Sequence, residues 1–158
     1  MLKQVAEGMN TLQKHKIDHE CLTTKTILVE GPTHFRVVDP ITVPVNQNLD
    51  VVYHKRNIKN VYLSPEQCQR VDLQEIGKGI SSPSKSDVFT FGMILLEAGL
   101  LRQQDECYED DCARINWRQI EHNIGLFTEL YGQEFKRVLE KMLRLHTIDR
   151  IDWQGLVR

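Results

Sequence analysis

Leu2, Val5, Met9 and Leu12 follow one another at steps of three, four and three, which puts them on one face of a helix over residues 2–14. Residues 26–29 (Thr-Ile-Leu-Val) and 35–38 (Phe-Arg-Val-Val) are β-rich runs joined by Glu30-Gly31-Pro32-Thr33-His34. Gly-Pro marks a turn, so the two runs predict a small hairpin. From Pro40 to Leu63 no strong period survives, and an extended loop is expected there. Over residues 85–101 the apolar positions Val88, Phe89, Phe91, Met93, Ile94, Leu95, Leu96 and Leu100 surround the axis instead of forming one stripe. A helix apolar all round belongs at the centre of a domain. Ser84, three residues before Asp87 and just after Pro83, is its expected cap. Gly99, near its end, reads as tolerated. Residues 133–145 return to an amphipathic pattern, with Phe135, Val138, Leu139, Met142 and Leu143 on the inward face. The pattern predicts a mainly α (α+β) fold with a short β-hairpin and a buried central helix.

Bulk composition changes this picture little. At 158 residues the chain fits one domain with its own core, and 41% hydrophobic and 27% charged residues are ordinary for a globular protein. A net charge of −2 gives no whole-chain argument for nucleic acid or a membrane as partner. No apolar run is long enough to span a bilayer, and Met1-Leu2-Lys3-Gln4 does not open a signal peptide, so a cytoplasmic location is expected. Cys21, Cys68, Cys107 and Cys112 are scattered, with no second ligand pair at zinc-type spacing, and read as reduced, unliganded thiols. Residues 105–111 carry five acids (Asp105, Glu106, Glu109, Asp110, Asp111). Such a run is a solvated linker by default, and an acidic docking site for a basic partner is the sharper alternative.

The chemistry-bearing residues lie in four ordered groups. His19-Glu20-Cys21-Leu22-Thr23-Thr24-Lys25-Thr26-Ile27-Leu28-Val29 is followed by Asp39-Pro40-Ile41. Their spacing resembles the catalytic loop and metal loop of the protein kinase superfamily, His-Arg-Asp-Leu-Lys-Pro-Glu-Asn and Asp-Phe-Gly. Ser64-Pro65-Glu66 resembles the Ala-Pro-Glu that closes the activation segment. Residues Lys85 to Gly92 resemble the Ser-Asp-Val-Trp-Ser-Phe-Gly start of the long buried helix. Lys141-Met142-Leu143 and Asp149-Arg150 are similar to the signature near the end of the domain.

The resemblance implies that residues 1–158 form a protein kinase-like C-terminal (large) lobe. Its catalytic loop would lie at about 19–29, its activation segment at about 39–66 and its central helix at about 85–101. The family's glycine-rich loop, strand lysine, partner glutamate and adenine-gripping hinge have no counterpart here. A large lobe without its small lobe is the expectation, the latter supplied in trans or lying outside this sequence.

Phosphoryl transfer needs an aligned hydroxyl, a proton acceptor, divalent metal and positive charge on the moving phosphate. By the resemblance, Cys21 stands where the family has its catalytic aspartate. A thiol of pKa about 8.5 is no equivalent of an ionised carboxylate, and losing a positioned base typically costs about 10²–10⁴-fold. Thr23 replaces the phosphate-neutralising lysine, with Lys25 two positions away. Thr26 replaces the metal-binding asparagine, and its hydroxyl is a poorer magnesium ligand. Asp39 matches the primary metal ligand, but Pro40 and Ile41 replace the flexible Phe-Gly that follows it. Leu28 matches the residue that packs beneath adenine, and its ordinary role is a buried strand leucine.

The retained positions are structural by the same resemblance. His19 would hold the catalytic loop, Asp87 would accept hydrogen bonds from its backbone, and Glu66 with Arg150 would clamp the activation segment. Glu20 stands where many kinases carry an arginine, and the segment carries His54, Lys55, Arg56 and Lys59. An inverted ion pairing there competes with a solvated basic loop. Thr42, Tyr53 and Tyr62 are candidate modification sites.

The expected function is that of a truncated, catalytically inactive pseudokinase acting as an interaction or regulatory module, with no cofactor. Protein partners would bind through the exposed upper face, the 105–111 acidic loop or the activation segment. The alternative is a Ser/Thr-type kinase family member with weak or altered phosphotransfer, which alone would require ATP and Mg.

Overall fold

A computed structural model describes residues 1–19, 22–38, 61–73, 82–109 and 114–158. The expectations for Glu20, Cys21, Asp39, Pro40, Ile41, Thr42, Tyr53, the basic residues between 54 and 59, and residues 110–112 lie outside the described residues.

The chain opens with α1 (Leu2–Lys14), which buries Val5, Ala6 and Met9 as its three–four spacing requires. Strands β1 (Ile27–Glu30) and β2 (His34–Val37) pair antiparallel, with Ile27 opposite Val37 and Glu30 opposite His34. Gly31, at φ 73°, makes the turn in a left-handed conformation that suits glycine. Ile27 is buried in the main core, Leu28 points to the other face at 45% exposure, and Val29, on the side of Ile27 but nearer the turn, is 63% exposed. Leu28 is therefore not the buried strand leucine expected. A two-stranded ribbon buries one face only, and Leu28 sits on the other with Arg36 opposite it.

Helix α2 (Pro65–Asp72) leads to the central helix, α3 (Pro83–Leu100). Every residue of α3 from Ser86 to Leu96 is buried, matching its all-round apolar pattern. Its start differs from expectation. Pro83 occupies the first helical turn and Ser82 is the N-cap residue, so Ser84 lies inside the helix and caps nothing. The reason is proline itself, whose fixed φ and missing N–H suit the first helical position.

Beyond α3 come a 3-10 turn (Asp105–Cys107) and the two-residue strands β3 (Tyr108–Glu109) and β4 (Arg114–Ile115). Then follow α4 (Trp117–Tyr131), α5 (Gln133–Met142) and α6 (Trp153–Val157). Asn116 caps α4 by accepting the N–H of Gln119 at 3.2 Å, and Asp152 caps α6 by accepting that of Gly155 at 2.7 Å. Helix α5 ends at Met142, three residues short of the predicted 145, and Phe135, expected on its inward face, is 43% exposed. Phe135 instead packs edge-on against Phe127 and Tyr131 at the α4–α5 corner.

Helices α1, α4, α5 and α6 pack around the hairpin and α3, giving one main core that runs from Val5 through Phe89 and Phe91 to Trp153. Gly99 is required in this packing and is not merely tolerated. A Cβ there would collide with the ring of Phe127 and lie 3.1 Å from Cε2 of Tyr131. Among the described residues no helix is long and apolar enough to cross a membrane.

Candidate functional site

The loop that leads into β1 is tied to the central helix by a buried contact. The backbone N–H of His19 donates to Asp87 Oδ2 at 3.1 Å, and both side chains are almost fully buried. On its other side His19 Nε2 lies 3.1 Å from the carbonyl oxygen of Val38. A carbonyl only accepts, so Nε2 carries the proton in this contact. His19 thus joins α3 to the residue immediately before position 39.

The loop then closes on itself. Thr26 Oγ1 accepts the backbone N–H of Thr23 at 2.9 Å and donates to the carbonyl of Thr23 at 3.0 Å. Thr26 N–H also donates to that carbonyl, at 3.1 Å. Thr23 Oγ1 in turn accepts the N–H of Lys25 at 3.2 Å. Both hydroxyls at the phosphate- and metal-side positions of the motif are engaged with the loop's own backbone. Neither supplies a cation or an amide oxygen. Lys25 is exposed on the rim of this turn, and Leu28 offers its side chain to solvent. Among the described residues no three His, Cys, Asp or Glu side chains cluster to hold a metal ion.

A second junction is anchored at Lys85 and Ser86 of α3. Arg150 meets Glu66 through two bonds, Nη1 to Oε1 at 2.8 Å and Nη2 to Oε2 at 3.1 Å. The Arg150 side chain is 0% exposed and that of Glu66 18%. Arg150 also donates to the carbonyls of Lys85 and Arg144, and its guanidinium lies 5.1 Å from the centre of the Phe89 ring. Ser86 Oγ donates to Glu66 Oε1 at 2.6 Å. Burial pushes the Glu66 carboxyl up, but the hydrogen bonds and charge of Arg150, with the Ser86 hydroxyl, outweigh it and hold the group below its ordinary range. Lys85 completes the junction from the first turn of α3, donating to the carbonyls of Thr147 and Arg150 at 2.8 Å each.

Residues 61–64, just ahead of α2, are latched onto α3 by contacts that the sequence did not single out. Thr90 Oγ1 donates to the carbonyl of Tyr62, and the Tyr62 hydroxyl donates to Glu97 Oε2 at 2.7 Å while accepting the N–H of Gln104. Burial, reinforced by the bond to Glu97, pushes the Tyr62 hydroxyl well above its ordinary value. Tyr62 is 2% exposed and its ring stacks on Tyr108, which removes it from the candidate modification sites.

The acidic stretch is partly neutralised from within. Glu106 pairs with Arg102 at 2.8 Å and accepts from Gln119, while buried Asn123 bridges Gln104 and Arg102. Cys107, enclosed by this network, is a free thiol pushed up to about 12 by burial and the Glu106 charge. Cys107 departs from the solvated linker expected for this run, whereas Asp105, Glu106 and Glu109 are exposed.

The described candidate residues therefore fall into two contacting pairs, His19 with Asp87 and Glu66 with Arg150, both anchored at residues 85–87 near the start of α3. Thr23 and Thr26 form a third, local pair. No curated protein matches the chain by sequence. The family model described as protein tyrosine and serine/threonine kinase matches residues 1–152, nearly the whole chain and every landmark above. The mainly helical chain, with its hairpin and buried central helix, thus belongs to the protein tyrosine and serine/threonine kinase family.

Proposed function

We propose that the chain is a pseudokinase-type module that binds protein partners and does not transfer phosphate. The observation that carries this reading is the engagement of the Thr23 and Thr26 side chains with their own loop backbone. Where phosphoryl transfer requires a cation on the phosphate and an oxygen ligand for the second metal, these residues stabilise a turn instead. The replacement of the family aspartate by Cys21 points the same way. Asp39 alone cannot both position and neutralise a triphosphate.

The junctions around His19, Asp87, Glu66 and Arg150 support a role in which the scaffold matters. They tie residue 19 and α2 to α3 through side-chain and backbone hydrogen bonds. Partner surfaces under this reading are the exposed hairpin residues Leu28 and Val29, the acidic loop and the activation segment. Cys68 and Cys107 are buried and outside any disulfide, in keeping with a reducing, cytoplasmic setting.

Thermal-shift titration with ATP, with and without Mg²⁺ or Mn²⁺, tests the reading. No saturable shift is expected. A Tm rise that follows RT ln(1 + [L]/Kd) would overturn it in favour of the ATP- and Mg-dependent alternative.

A further inference from the structure

Tyr131 stands apart from the other described tyrosines. Tyr62 is buried, and Tyr108 donates its hydroxyl inward to the carbonyl of Leu63 at 2.8 Å. Tyr131 is 47% exposed and its hydroxyl bond is at the surface. That bond has a definite place in the fold: Tyr131 Oη donates to the carbonyl of Gly99 at 3.0 Å. Gly99 lies in the last turn of α3, where helix carbonyls have no partner within their own helix. Tyr131 therefore caps the buried central helix from outside, reaching it from the last residue of α4.

The surroundings make this bond easy to break and hard to keep once charged. Gly132 follows directly, at φ 86° and ψ 174°, between two helices, so the chain turns sharply at the residue after the tyrosine. Its flanks carry the exposed acids Glu129 and Glu134. The closest basic groups along the chain are already paired, Arg137 with Glu134 and Lys136 with Glu140. The carbonyl end of a helix carries partial negative charge.

We propose that Tyr131 is a phosphorylation site for a separate tyrosine kinase, and that its hydroxyl is a latch on the central helix which phosphorylation releases. In the modification the phenolic oxygen attacks the γ-phosphorus of ATP. The bond from that phosphorus to the β,γ-bridging oxygen breaks, ADP leaves with the electron pair, and the phenolic proton passes to a carboxylate of the modifying enzyme. The product has no O–H to give to Gly99. It places a charge of about −1.5 to −2 beside a negative helix end, on a segment flanked in sequence by Glu129 and Glu134. The ring must then swing out, uncovering Phe127 and Phe135, which it contacts at 4.4 and 6.2 Å between centroids. The inference is independent of whether the chain itself transfers phosphate.

The test has two arms. In the first, the full chain and a synthetic peptide of residues 126–137 are each incubated with a broad-specificity tyrosine kinase and Mg·ATP, and the phosphate is mapped by mass spectrometry. Modification of Tyr131 in both, lost in Tyr131→Phe, is expected. Failure in the full chain, whether or not the peptide is modified, overturns the site. In the second arm phosphotyrosine is installed at position 131 by semisynthesis and amide hydrogen exchange is followed. Exchange in the last turn of α3 through Arg102 should be faster than in Tyr131→Phe, with α1 unchanged. Equal exchange in the two proteins, or a uniform rise across the chain, overturns the latch.

Discussion

Glu66 and Arg150, 84 residues apart in sequence, meet in a two-point ion pair in which the arginine side chain has no solvent exposure. A buried guanidinium needs every donor matched, and here the carboxylate and the carbonyls of Lys85 and Arg144 match them. The pair joins α2 to the turn ahead of α6, with the first turn of α3 between them. It holds three segments in one place.

Removing one partner should therefore cost far more than a surface ion pair would. Arg150→Ala is expected to lose about 3–5 kcal/mol of stability, because Glu66 is left charged and partly buried. Urea denaturation of wild type and variant measures it. The pH dependence has a definite sign. The native Glu66 carboxyl is held below its unfolded value, so the unfolded chain takes up its proton first as pH falls. The contribution is full above about pH 5 and is lost as the pH drops through the lowered native value. Glu66→Gln should be less stable at neutral pH and should show a shallower loss on acidification. An acid limb identical to that of wild type would contradict the assignment.

Gly99→Ala tests the contact between α3 and α4. By helix propensity alone alanine should stabilise an interior helical position by up to about 1 kcal/mol relative to glycine. The added methyl instead runs into the Phe127 ring, with Tyr131 Cε2 3.1 Å away. Overpacking of this kind typically costs about 1–3 kcal/mol. A net destabilisation in chemical denaturation is the expected outcome, and a more stable variant would show that the two helices stand further apart.

The same position shows where the sequence was legible and where it was not. Helical spacing identified α1, β-rich runs around a Gly-Pro turn identified the hairpin, and all-round apolarity identified α3. None of these could reveal that Gly99 faces Phe127, since that depends on how two helices approach. The family motifs located His19, Asp87, Glu66 and Arg150. Their partners Ser86, Lys85 and the carbonyls of 144–150 are matters of tertiary placement. Helix α4 carried a readable signal in Trp117, Ile120, Ile124, Phe127 and Tyr131 at three- and four-residue steps behind Asn116. In the acidic stretch, net charge masked a buried network, because Asn123 and Gln104 announce themselves by burial and not by pattern.

That network protects Cys107. The thiol is fully buried and pushed up to about 12, so almost none of it is thiolate at pH 8. Iodoacetamide should leave Cys107 unlabelled in the native protein and label it in urea, as read by peptide mass spectrometry. Asn123→Ala removes the donor that reaches the sulfur at 3.5 Å and opens the packing around it. Native labelling should then become measurable, whereas rapid labelling of the unaltered protein would contradict the enclosure.

Thr26→Val separates the two roles that the loop could have. Valine keeps the branched shape of threonine but removes the hydroxyl that both accepts the N–H of Thr23 and donates to its carbonyl. Losing one hydrogen bond that leaves a partly buried group unmatched costs about 1–3 kcal/mol. The expected effects are a lower Tm and faster proteolysis between residues 22 and 30, with no change in the response to ATP and Mg²⁺. A purely structural hydroxyl predicts that combination. If the hydroxyl instead contributed to a nucleotide-metal site, wild type would be stabilised by Mg·ATP and the valine variant would lose that increment. The titration distinguishes the two because stability without ligand and the ligand-dependent shift are read in the same experiment.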